Sequence, residues 1–84
     1  MTRLLEPPIP ILAIVVDGQP QQFTWEGRHY RVEQIALHWR KRVWWRGIWR
    51  DYFKLVTHNG QGSVLVVVYR DLLDNEWYLQ EVYD

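Results

Sequence analysis

The chain has no cysteine, which excludes a disulfide framework, thiolate zinc sites and the disulfide-stapled class of small secreted domains, and makes a reducing, cytoplasmic setting the default expectation. It has one serine, Ser63, with no glycine-flanked elbow of the G-x-S-x-G kind around it, so a nucleophilic role is set aside. Its three histidines, His29, His38 and His58, lie nine and twenty residues apart and lack the short spacing of a helix-borne metal pair. Gly60-Gln61-Gly62 is not followed by a lysine and opens no helix, so it is a turn and not a phosphate loop. Asp17, Asp71 and Asp74 sit in turn sequences where a carboxylate caps backbone donors. With so thin an inventory, no enzymatic activity, metal or cofactor is expected.

Long apolar runs are also missing. Residues 9–16 form the longest one, far short of the ~20 residues of a membrane-spanning helix, and Pro7, Pro8 and Pro10 precede or interrupt it without a cleavage signal. A soluble protein with no membrane partner is the expectation. Net charge is zero, which by itself argues against general attraction to polyanions. Its distribution argues otherwise. Residues 28–54 carry eight bases against two acids, Glu33 and Asp51, whereas residues 71–84 carry five acids and no base.

What is abundant is aromatic: six tryptophans and five tyrosines in 84 residues supply rings such as Trp25, Trp39 and Trp77 to fill a core that short aliphatic side chains would leave incomplete. That length holds one domain, drawn as an extended lead-in over 1–10 and a β-domain over 11–84. Residues 11–17 read as a strand ending at Asp17-Gly18. Phe23, Trp25, Tyr30 and Val32 share a face of a hairpin that turns at Glu26-Gly27. A second hairpin turns over 58–62, its return strand 64–69 apolar on both faces and therefore central, and residues 77–83 form the last strand. Over 33–43 two patterns compete. Val32, Ile35, Ala36, Trp39 and Val43 fit a helical stripe; Ile35, Leu37 and Trp39 fit a strand once a β-bulge at Glu33-Gln34 shifts the phase. The fold expected is all-β: a five- to six-stranded antiparallel meander forming a small, partly closed barrel or rolled sheet, with a short helix near 33–43 as the alternative. Its core should include Phe23, Trp25, Tyr30, Val32, Phe53, Leu55, Val66, Val68, Trp77 and Leu79.

One constellation stands apart. Residues 39–50 pack four of the six tryptophans and five of the ten basic residues into twelve positions. Arg40, Lys41, Arg42, Arg46 and Arg50 suit phosphates, and Trp44, Trp45 and Trp49 suit unpaired bases, whose stacking on an aromatic ring is worth ~1–3 kcal/mol each. Two other readings stand beside this one. Trp39 and one of Trp44 or Trp45 are core residues whose neighbouring arginines merely stack and solvate an edge, or tryptophan and arginine mark a protein-docking hot spot.

The pattern Phe23-Thr24-Trp25-x-Gly27-x-x-Tyr30-x-Val32, with Trp39, Trp44-Trp45-x-Gly47, Arg50-x-Tyr52-Phe53-x-Leu55, Tyr69-Arg70-Asp71 and Trp77-x-Leu79-x-x-Val82-Tyr83-Asp84, resembles a small bacterial domain of unknown function. That domain occurs alone or associated with Y-family translesion DNA polymerases. The resemblance covers residues 20–84; the Arg-Lys-Arg run at 40–42 is richer than its pattern requires. It implies an accessory role in DNA repair or translesion synthesis. The partners expected are single-stranded or distorted DNA, with a Y-family polymerase or other repair protein as the alternative.

Overall fold

The computed structural model describes residues 2–83. Six strands follow one another in chain order: β1 (Thr2–Val16), β2 (Gln19–Trp25), β3 (Arg28–Val43), β4 (Ile48–His58), β5 (Ser63–Asp71) and β6 (Trp77–Tyr83). Each pairs antiparallel with the next, and β1 pairs with β6, so the sheet closes into a ring. The described residues contain no helix, and so none that is long and apolar enough to cross a membrane. The expected all-β antiparallel meander is the observed architecture, and residues 33–43 are strand. Residues 2–10, the expected lead-in, are extended and belong to β1, where Thr2, Arg3 and Leu4 pair with Tyr83, Val82 and Glu81. The ladder resumes at Ile9–Leu79, after an interruption that contains Pro7 and Pro8, which have no N–H to donate.

Turn chemistry sets the ring's order. Asp17 (φ 53°) with Gly18 (φ 77°), and Glu26 (φ 51°) with Gly27 (φ 74°), put two successive residues in the left-handed region, the two-residue turn whose twist matches an antiparallel hairpin. Inside the ring, Phe23, Phe53, Leu55, Val66, Val68, Leu79 and Val82 are almost wholly buried, with Phe23 stacked on Tyr30 (4.9 Å) and Phe53 against Trp77 (5.6 Å). Nine of the ten expected core residues are buried, and Val32 packs partly buried against them.

Strand β3 departs from its expected pattern in an informative way. Against β4, Val32 pairs with Thr57 and Gln34 with Val56, so Glu33 is the extra residue of a bulge. Ile35 pairs with Leu55 and Leu37 with Lys54, so Ala36 is the extra residue of a second. The expected phase shift at Glu33-Gln34 is there. The second bulge is the correction: it turns Ile35 towards the core while Leu37 (57% exposed) and Trp39 (38%) face out, so these three do not share a face and Trp39 is not a core residue.

The apolar outer face of β5 is covered without a second layer. Tyr52, Val67 and Tyr69 are buried there in a separate cluster flanked by Tyr78 and Tyr83. Register places Trp39, Tyr52, Tyr69 and Tyr78 opposite one another on four successive strands, and their rings meet at 5.4, 5.2 and 5.1 Å between centroids, the outer two pairs stacked and Tyr52–Tyr69 tilted by 38°.

Candidate nucleic-acid interface

Strands β3 and β4 form the longest hairpin, paired through to Val43–Ile48 and turning over residues 44–47. Gly47 closes the turn at φ 66°, a conformation that L side chains rarely adopt, and the Arg46 N–H donates to the Val43 carbonyl (3.0 Å). β2 accompanies β3 only as far as Gln22–Arg31. Beyond that point β3 is paired on its β4 side alone, so the basic-aromatic segment sits on a hairpin joined to the ring through β4 and β5.

Strand alternation then divides the expected site. Arg40 lies opposite Asp51 and Arg42 opposite Trp49, on the face continuous with the ring's interior; Lys41 lies opposite Arg50, on the outer face with Trp39 and Tyr52. Trp44, Trp45 and Arg46 occupy the exposed turn. The eight residues Arg40, Lys41, Arg42, Trp44, Trp45, Arg46, Trp49 and Arg50 therefore occupy one hairpin but two faces and a tip.

Their charges divide as well. Arg40 Nε and Nη2 donate to the two carboxylate oxygens of Asp51, at 2.7 and 3.3 Å. The hydrogen bond from Arg40, against the opposing cost of burial, holds the Asp51 carboxyl below the usual carboxylate range. His38 adds its Nε2 at 3.7 Å from Asp51 while stacking on Phe53 (4.3 Å). Arg50 is largely covered: its guanidinium lies 4.5 Å from the Tyr69 ring centroid and 3.8 Å from an Asp71 oxygen. Lys41, Arg42 and Arg46 are exposed and have no ion pair among the described residues. Three of the five candidate cations are thus available to a ligand, and two are committed to the fold.

The tryptophans run the other way. Trp44 (78% exposed), Trp45 (70%) and Trp49 (48%) all face solvent, and Trp44 meets Trp45 edge-on (6.0 Å, 88°). Neither Trp44 nor Trp45 is a core residue, which removes the version of the structural reading that buries one of them. Beside Trp49 lies a groove of 380 Å³ lined by Arg40, Gly47, Ile48, Trp49, Leu72 and Leu73. Its far wall, the β5–β6 turn, is tied to the hairpin by the Leu72 N–H donating to the Trp49 carbonyl (3.0 Å), and is shaped by Asp71, whose carboxylate accepts from the Leu73 N–H (3.0 Å).

Sequence reasoning missed this wall and the two acids that engage Arg40 and Arg50. Asp51 was within reach: counting outward from a turn at 44–47 sets residue 40 opposite 51. Leu72 and Leu73 carried no signal, since two leucines in a turn read as ordinary.

A larger, polar depression of 510 Å³ lies at the other end of the ring, lined by Gln22, His29, Arg31, Glu33, His58 and neighbours. Its histidines serve local structure. His58 Nδ1 accepts from the Gly60 N–H (3.0 Å), and His29 Nδ1 lies 3.1 Å from Thr24 Oγ1. No group of three or more metal-ligating side chains exists among the described residues.

Residues 8–84 match the family model described as "Domain of unknown function (DUF6504)", and the chain belongs to that family. Neither the curated proteins nor the solved structures contain a match.

Proposed function

We propose that the protein is a non-catalytic accessory module that binds unpaired nucleic acid, single-stranded or distorted DNA, through the outer part of the β3–β4 hairpin. One observation carries the reading: three exposed cations with no ion pair among the described residues, Lys41, Arg42 and Arg46, share a single hairpin with three exposed indoles, Trp44, Trp45 and Trp49. Phosphates take the cations and splayed bases take the rings, a combination that binds single strands with little sequence preference. Arg40 and Arg50 keep the hairpin in shape rather than contact the ligand. A role beside DNA repair in the bacterial cytoplasm is part of the same proposal, and what supports it is the resemblance to a domain that occurs with Y-family translesion polymerases. The test is a fluorescence titration with labelled single- and double-stranded oligonucleotides at two salt concentrations. Tighter binding to the single strand that weakens with salt supports the reading, and absence of binding at low salt overturns it.

A second reading draws on the groove beside Trp49. A half-exposed indole sharing a groove with two leucines has the make-up of a protein hot spot, and a polymerase or another repair factor is the corresponding partner. Such an interface responds weakly to salt, so the same titration, run with a candidate protein, separates the two.

A further inference from the structure

The ring of strands leaves backbone edges open, and two of them, on β3 and on β1, are protected to opposite degrees. On β3 the edge beyond Arg31 carries Arg40, Lys41 and Arg42, charged residues of the kind that keep an exposed edge from pairing. On β1 the ladder to β6 ends at Ile11–Trp77, and residues 12–16 pair with β2 alone. This second edge has no such guard. No charged residue occurs from Pro7 through Val16, and Leu12 (82% exposed), Ile14 (57%), Val15 (37%) and Val16 (52%) all stand in water. The irregularity against β2, where Ile14 pairs with Gln22 and Val15 with Pro20, leaves the extra residue on β2, so β1 itself runs unbroken through the open stretch.

We propose that residues 12–16 of β1 pair with the same residues of a second copy, joining two rings edge to edge. The strand is complementary to itself. An antiparallel pairing that overlaps all five residues is centred on Ile14, sets Leu12 opposite Val16 and Ala13 opposite Val15, and places no charge and no proline anywhere in the ladder. Leu12, Ile14 and Val16 share a face, so the two copies form one continuous apolar stripe across the joined sheet. The β3 edge does the reverse: paired with its own copy it would oppose cations to cations. Four aliphatic side chains and a short ladder fall short of the ~800 Å² per partner of a standard interface, so the dimer is weak and depends on concentration.

Sedimentation equilibrium over a wide concentration range is the first test. The mass should rise from the monomer's 10.3 kDa towards twice that value, while Ile14→Lys stays monomeric with an unchanged thermal midpoint, since this side chain is exposed. A wild type that remains monomeric at millimolar concentration overturns the proposal. Register gives a second test, which the cysteine-free sequence makes clean. Under mild oxidation Ile14→Cys should form a disulfide-linked dimer, because directly opposed residues lie about 4.5–5.5 Å apart between Cα atoms, within disulfide reach. Leu12→Cys alone should not, because its two copies are offset by four residues, roughly 13 Å. Mixing Leu12→Cys with Val16→Cys should restore the cross-link. Cross-linking of Leu12→Cys with itself, or none of Ile14→Cys, overturns the register.

Discussion

The division of the hairpin's cations gives the proposed nucleic-acid binding a number. A single strand that displaces counterions from Z phosphates shows a slope of log K against log salt of about −0.7Z. Counting every base in residues 39–50 sets Z at five and the slope near −3.5. With Arg40 on Asp51 and Arg50 between Tyr69 and Asp71, Z is three and the slope about −2. Between 50 and 200 mM salt the affinity then falls roughly 20-fold rather than roughly 100-fold. Replacing Lys41, Arg42 and Arg46 with glutamine should flatten the slope nearly to zero and leave stability within about 0.5 kcal/mol, because all three are exposed and have no ion pair among the described residues. Including Arg40 in the set would confuse the result, because its loss strands the nearly buried Asp51 and destabilises the fold. Fluorescence anisotropy across a salt series, with thermal melts of each variant, reads both quantities. A wild-type slope near −3.5, or a triple variant that binds with an unchanged slope, refutes the assignment of three free cations.

Trp49→Ala should weaken single-strand binding while leaving the salt slope of the wild type in place, because it removes a stacking ring and no charge; a changed slope in the same titrations would contradict this. Trp77→Ala should cost ~3–5 kcal/mol in denaturant melts, since the ring is buried against Phe53, and an unchanged midpoint would contradict its place in the core. Folding lowers the pKa of Asp51, so its stabilisation is complete above the carboxyl's unfolded value and disappears as pH falls through the lower folded value. Thermal midpoints of the wild type and Asp51→Asn should accordingly differ at neutral pH and converge in acid.

Much of the fold was legible because the turns and the core obey short-range rules. Asp17-Gly18 and Glu26-Gly27 announce tight hairpins, and the alternation of Phe23 with Trp25 and of Phe53 with Leu55 marks inward faces. Residues 33–43 resisted for a definable reason. Two bulges in quick succession space the residues that pair with Thr57, Leu55 and Phe53 at Val32, Ile35 and His38, a period of three that imitates one side of a helix. The candidate site was legible as a segment and illegible as a surface. Which cations stay free depends on cross-strand partners, and the acids that engage Arg40 and Arg50 come one from β4 and one from the end of β5.

The position of the hairpin follows from those same contacts. Beyond Arg31, β3 has lost β2 as a neighbour, and a two-stranded ribbon alone is marginally stable in water. Two side-chain devices and one backbone bond compensate. On the outer face the row of touching rings Trp39, Tyr52, Tyr69 and Tyr78 ties the base of the hairpin across β4 and β5 to β6. On the other face His38 lies on Phe53, and the paired hydrogen bonds of Arg40 to Asp51 fix the strand against its partner. At the far end Leu72 joins the β5–β6 turn to Trp49. Arg40 and Arg50 thus hold the rest of the basic-aromatic segment in place, and in the proposed binding this would reduce the ordering cost for Lys41, Arg42, Arg46 and the exposed indoles.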